Sequence, residues 1–73
     1  MTPAKLRKVV AANIRRKARE REIPINLVAD FAGVSRSYLY DVLAGRKAAT
    51  TDWLARVATA VEAEPWELLR PRS

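Results

Sequence analysis

The sequence predicts an all-α domain built as a compact bundle of five short helices, and three observations carry that expectation. Apolar residues make up 49 % of the chain and thirteen of them are alanine, a composition that favours close-packed helices over strands. Within each segment the apolar positions recur at three and four residues, the spacing of one helical face. Residues that start or stop helices punctuate the segments. With no cysteine and no histidine, disulfides are excluded, the usual zinc ligand sets are absent, and the core must be apolar. Seventy-three residues suit one domain, residues 1–73, with a core over about 3–69 and a basic tail at 70–73. That length is near the lower limit for a self-sufficient core, so self-association is expected.

Thr2 followed by Pro3 reads as an N-cap and first helical position, opening a helix to about Glu20 or Arg21 whose buried stripe is Leu6, Val9, Val10, Ile14 and Ala18. Pro24 ends that segment and starts the next, about Ile25 to Ala32, which is expected to bury Val28, Phe31 and Leu27. Gly33 can take the left-handed conformation that stops a helix, Ser35 can cap the following one, and Gly45 can stop it, which defines a third helix over about Ser35–Ala44. At roughly 100° per residue, Leu39, Val42 and Leu43 share its packing face, while Arg36, Ser37, Tyr40 and Asp41 share the other. Thr50 and Thr51 cap a fourth helix to about Glu62 with the stripe Leu54, Val57, Ala58 and Val61, and Glu64-Pro65 opens a last short helix through Leu69.

The net charge is +6, and eight of the fourteen basic residues fall within the first 21 positions. Such a basic helix can face phosphates, anionic lipid or water. The longest uncharged run, Ile23 to Ala29, is far too short to span a bilayer, and no charged-then-apolar leader is present, so a cytoplasmic protein is expected. Lacking His, Cys and a glycine-rich phosphate loop, the chain has neither a nucleophile–base pair nor a cofactor cradle; no enzyme activity and no cofactor are expected.

Arg15-Arg16, Val28-Ala29, Ala32-Gly33-Val34-Ser35, Ser37-Tyr38-Leu39, Gly45-Arg46-Lys47, Asp52-Trp53-Leu54, Val57-Ala58, Ala60-Val61 and Leu68-Leu69 line up without a gap on one ordered pattern. Over about residues 6 to 69 the chain resembles the helix-turn-helix proteins of the phage Cro and repressor type, the XRE-like family. The resemblance implies a lambda-repressor-like bundle of five helices in which the second and third form a DNA-binding unit. It also implies a small bacterial or phage transcriptional regulator that binds double-stranded DNA at a pseudo-palindromic operator as a homodimer; no membrane partner is expected, and no small-molecule ligand is evident in the sequence. The family's base-contacting positions map onto Arg36, Ser37, Tyr40 and Asp41. Its phosphate contacts map onto Tyr38, Arg46 and Lys47, beside which the basic Arg15 and Arg16 are expected to face phosphate.

Two departures stand out. The second helix commonly opens with a phosphate-binding glutamine after a Ser or Thr cap, where this chain has Ile25 after Pro24, leaving Asn26 or the bare helix N-terminus to take that contact. An arginine–glutamate pair common in the family is replaced by Ala18 and Leu43, a swap that is often neutral or stabilising. Trp53 and Trp66 are expected to anchor the core or a subunit contact rather than stack on bases, and Trp66, Leu68 and Leu69 form the expected dimer interface. The competing reading is a protein-interaction module, an antitoxin or adaptor, that uses the same fold with weak or no specific DNA binding.

Overall fold

The start of each helix is set by a short side chain or a proline. In the computed structural model, which describes residues 1–72 and leaves Ser73 of the expected tail outside the described residues, Thr2, Ser35 and Thr50 each accept a hydrogen bond from the backbone N–H three residues on, at 3.1 Å. They open α1 (Pro3–Glu20), α3 (Arg36–Leu43) and α4 (Thr51–Ala60). α2 (Ile25–Ala32) starts after Pro24 with no side-chain cap. The fifth expected helix is instead a four-residue 3-10 turn, Pro65–Leu68. Its bonds, Glu67 N–H to Glu64 O at 2.9 Å and Leu69 N–H to Trp66 O at 3.1 Å, span three residues, because so short a segment cannot build a ladder of four-residue spacing.

All four α-helices end alike. The N–H groups of Ile23, Val34, Arg46 and Ala63 each reach back five residues, to the carbonyls of Ala18, Ala29, Asp41 and Ala58. This closure puts the residue before each of them in the left-handed region. Glycine fills that place after α2 and α3, with φ of 69° at Gly33 and 80° at Gly45, whereas Glu22 and Glu62 fill it after α1 and α4 at 55° and 57°. The closure at Glu62 ends α4 at Ala60, two residues before the expected Glu62.

α2 packs on α4, α1 on α3, and the 3-10 turn on both α1 and α4. Val10, Ile14, Val28, Leu39, Val42, Leu54, Val57, Val61 and Leu68 fill the centre, and Ala18, Ala29 and Ala58 let the helices approach closely. Three expected core residues lie elsewhere: Leu6 is exposed, Val9 is only half-buried, and Phe31 is 62 % exposed. α2 buries the stripe Val28, Ala29 and Ala32, from whose centre Phe31 lies roughly 110° around the helix. Leu27, farther round still, is half-buried. Trp53 is in the core, as expected for one of its two roles, with its ring 5.7 Å from that of Tyr38. The buried polar residue is Asn13, whose Nδ2 donates to Leu68 O at 2.9 Å and Arg70 O at 2.8 Å, tying the end of the chain to α1.

Candidate nucleic-acid interface

α3 is locked in place by Leu39, Val42 and Leu43, all buried, and this leaves Arg36, Ser37 and Tyr40 exposed on the opposite face with Asp41 half-buried beside them. Gly33 suits the turn before it, because the left-handed backbone there is strained for an L side chain. The four residues that the sequence assigns to base contact therefore do share one accessible surface. They differ in how free they are.

Arg36 is held by a residue that sequence reasoning missed. Its Nε donates to Asp30 Oδ1 at 3.2 Å and its Nη2 to Asp30 Oδ2 at 2.8 Å, a fork-to-fork pair across the turn between α2 and α3. The hydrogen bond from Arg36 holds the Asp30 carboxyl below the usual carboxylate range. Asp41 is likewise engaged: its Oδ1 accepts from Arg46 Nε at 3.0 Å and Arg46 Nη2 at 2.8 Å. Ser37 and Tyr40 have no such partner in the bonding of this face among the described residues.

The expected phosphate contacts surround α3 unevenly. Arg46 and Lys47 are exposed in the loop after Gly45. Tyr38 is half-buried with its hydroxyl donating to Ala48 O, its ring against Trp53 and the Lys47 ammonium 5.8 Å from the ring centre, so it organises the loop that carries the two cations. Asn26 is exposed in the first turn of α2, and Arg15 lines a shallow cleft with Pro24 and Ile25 beside that same helix end. Arg16 points elsewhere. It donates to Asn13 Oδ1 at 2.7 Å and borders a cleft formed with Trp66, Arg70 and Arg72. Ile25 packs against the core, and Ala18 and Leu43 are both buried, an apolar solution where the family pattern has an ion pair.

The three residues expected at a dimer contact separate. Leu68 is fully buried in its own core, because the 3-10 turn rolls it inward between α1 and α4, and it has no surface left to offer a partner. Trp66 is 55 % exposed with the Arg70 guanidinium 5.5 Å from its ring centre. Leu69 is 40 % exposed at an apolar groove with Leu6, Val10, Ala49 and Leu54. No helix among the described residues is long and apolar enough to cross a membrane.

No protein-family model and no curated protein matches the chain. Solved structures do. A hypothetical transcription factor from Neisseria, NHTF, superposes with a TM-score of 0.85 at 26 % identity, covering 90 % of this chain and 76 % of that one. The clp gene regulator ClgR from Corynebacterium glutamicum matches with a TM-score of 0.79 at 28 % identity, over 88 % and 68 % of the two chains. A transcriptional regulator of the HTH_3 family from Vibrio cholerae has a TM-score of 0.84 at 21 % identity; 92 % of this chain is covered but only 38 % of that longer one. The all-helical bundle with its turn at Gly33 is thus similar to those of solved transcriptional regulators, in keeping with the helix-turn-helix resemblance of the sequence.

Proposed function

We propose that the protein is a transcriptional regulator that binds duplex DNA sequence-specifically, with α3 in the major groove. The observation that carries this reading is the division of α3 into a face fixed in the core and a face on which Arg36, Ser37 and Tyr40 stand exposed together. Arg36 has the planar fork that fits guanine O6 and N7, Tyr40 can lay its ring on a thymine methyl, and Ser37 can bond to several bases. Asp41 accepts from cytosine N4 once Arg46 turns to phosphate. Arg46, Lys47, Arg15 and Asn26 hold the backbone on either side of the groove, and Tyr38 acts through the loop it fastens. Arg16 serves the fold.

One short helix reads few base pairs, so a homodimer on a two-fold-related operator, with the two α3 helices about one DNA turn or roughly 34 Å apart, completes the reading. The exposed Leu69 and Trp66 support that assembly. Selection of bound sequences from a random duplex pool tests both claims: an enriched symmetric site is expected, and equal affinity for all duplexes would refute specific binding. Leu69→Asp should lower dimerisation and operator affinity together while helicity is kept; a monomer that saturates one unsymmetrical half-site would refute the dimer. The protein-interaction reading draws support from the exposed Phe31, and a chain that enriches no duplex but is captured tightly by a protein partner through that residue would favour it.

A further inference from the structure

We propose that Asp30 is a specificity-determining positioning residue, whose carboxylate grips one edge of the Arg36 guanidinium so that the other edge is presented, already oriented, to a single base. This rests on the DNA-reading role of α3 proposed above. A guanidinium carries five N–H donors in a rigid plane. Asp30 takes the side edge, through Nε and Nη2. That leaves the end edge, where one N–H of Nη1 and the second N–H of Nη2 run parallel at the spacing of guanine O6 and N7. The bidentate grip also fixes the plane of those donors, since both carboxylate oxygens are engaged, and an arginine so held has less freedom to lose when it binds a base.

The stability of α2 alone does not account for an aspartate at this place. Position 30 lies in the last turn of α2, where the helix dipole disfavours a carboxylate and where no basic residue of α2 offsets it. Aspartate is also a poor helix former. What the residue does have is reach: it spans six positions and the Gly33 turn to the first residue of α3. Both partners remain about half exposed, so the end edge of Arg36 is open to a ligand.

Charge gives Asp30 a second effect in the same direction. A paired Arg36 is close to neutral at a distance, so it gains little from a phosphate in arbitrary sequence and keeps its full value for a base that supplies two acceptors. Removing the carboxylate should therefore strengthen binding to random duplex and weaken discrimination at one base.

The test is selection from a random duplex pool with the full chain, its Asp30→Asn, Asp30→Glu and Arg36→Ala variants and the Asp30→Asn/Arg36→Ala double variant, with thermal melting of each and binding to a random duplex across salt. Asparagine keeps the size and an acceptor but removes the charge. The base preference at the position that Arg36→Ala relaxes should fall about three- to tenfold in Asp30→Asn, a part of what a bidentate base contact confers. The other positions should hold. Asp30→Glu should restore part of the preference, and the slope of log affinity against log salt on random duplex should steepen by about 0.9 as Arg36 is freed for phosphate. In the Arg36→Ala background, Asp30→Asn should change no base frequency. Unchanged base frequencies in Asp30→Asn, with or without a lower melting temperature, would assign Asp30 to the turn alone and overturn the proposal. An equal shift in the Arg36→Ala background would overturn it too. A wild-type chain that enriches no site would overturn the DNA-reading role itself, and this inference with it.

Discussion

Replacing Asn13 by alanine should remove a large part of the domain's stability, although the residue touches nothing on the exposed face of α3. The side chain is 1 % exposed and makes three hydrogen bonds: it donates to Leu68 O and Arg70 O, and it accepts from Arg16. A neutral bond contributes about 1 kcal/mol net, but a buried group left without a partner costs about 1–3 kcal/mol. The Leu68 carbonyl is such a group, since the whole residue is enclosed; the Arg70 carbonyl and the Arg16 guanidinium can turn to water and lose less. The sum is about 2–4 kcal/mol. A chain of this length has about 4–11 kcal/mol to lose, at the usual stability per residue. For so small a domain the change corresponds to a fall of about 10–25 °C in melting temperature. Helicity followed by circular dichroism during heating measures it. Asn13→Asp, which keeps the size and the acceptor but replaces the two donors by a charge beside carbonyl oxygens, should fall at least as far. A loss of under about 5 °C in both variants would show that water satisfies the Leu68 carbonyl as well as Asn13 does, and would refute the reasoning.

Other perturbations probe different parts of the molecule. Glu62→Gly should raise stability by about 1 kcal/mol, because glycine takes the left-handed backbone at that position without the cost borne by an L side chain; an unchanged or lower melting temperature would contradict this. Lys47→Ala should lower the salt slope of duplex binding by about one, whereas Arg46→Ala should lower it by less, since Arg46 must first leave Asp41. Equal slopes in the wild type and both variants would remove the loop from the interface. Below neutral pH, Glu67 should contribute to acid sensitivity. The Glu64 backbone N–H, and after it the Lys17 ammonium, hold its carboxyl below the ordinary glutamate value. Its stabilising effect is thus complete above that value, about 4.3, and is lost as pH falls through the lower folded value. Glu67→Gln should flatten the stability profile on the acid side, and a variant as acid-sensitive as the wild type would contradict the assignment.

Local signals were legible and distant ones were not. Thr2, Ser35 and Thr50 cap helices because a hydroxyl three residues before an N–H acts within one turn, and Gly33 and Gly45 stop helices because their backbone freedom is written in the residue itself. The end of α4 falls two residues before its expected place for the converse reason: Glu62 adopts the same conformation without any residue type that announces it. The sequence points Phe31 to the core because α2 is apolar nearly all round, so periodicity over eight residues does not choose a face. Leu68 and Leu69 are adjacent and alike, and only the inward roll of the 3-10 turn separates a core residue from a surface one. Asn13 and Asp30 are silent in the sequence because their roles depend on partners brought by folding, one 55 residues away and the other six residues on across a turn.

These details together separate the chain's net charge from the exposed face of α3, which the proposed function assigns to base reading. Residues 1–21 carry a net charge of +7, whereas residues 25–50, which hold α2, α3 and the loop after it, carry +1. Two of the three cations in that second stretch are paired within the chain, Arg36 with Asp30 and Arg46 with Asp41, which leaves the face of α3 nearly neutral. Attraction between a basic surface and duplex DNA acts over about 8 Å in physiological salt and is indifferent to sequence. Base readout acts only in contact. On the proposed reading, a chain that places its charge on α1 and its base-facing side chains on a nearly neutral α3 approaches DNA with one set of residues and chooses among sites with another. On that division, neutralising α1, for example by Lys5→Gln together with Lys8→Gln, should slow association and flatten the salt slope by equal amounts on preferred and random duplexes, leaving the ratio of the two affinities intact. A change in that ratio would mean that α1 contributes to choosing the site, and the separation would fail.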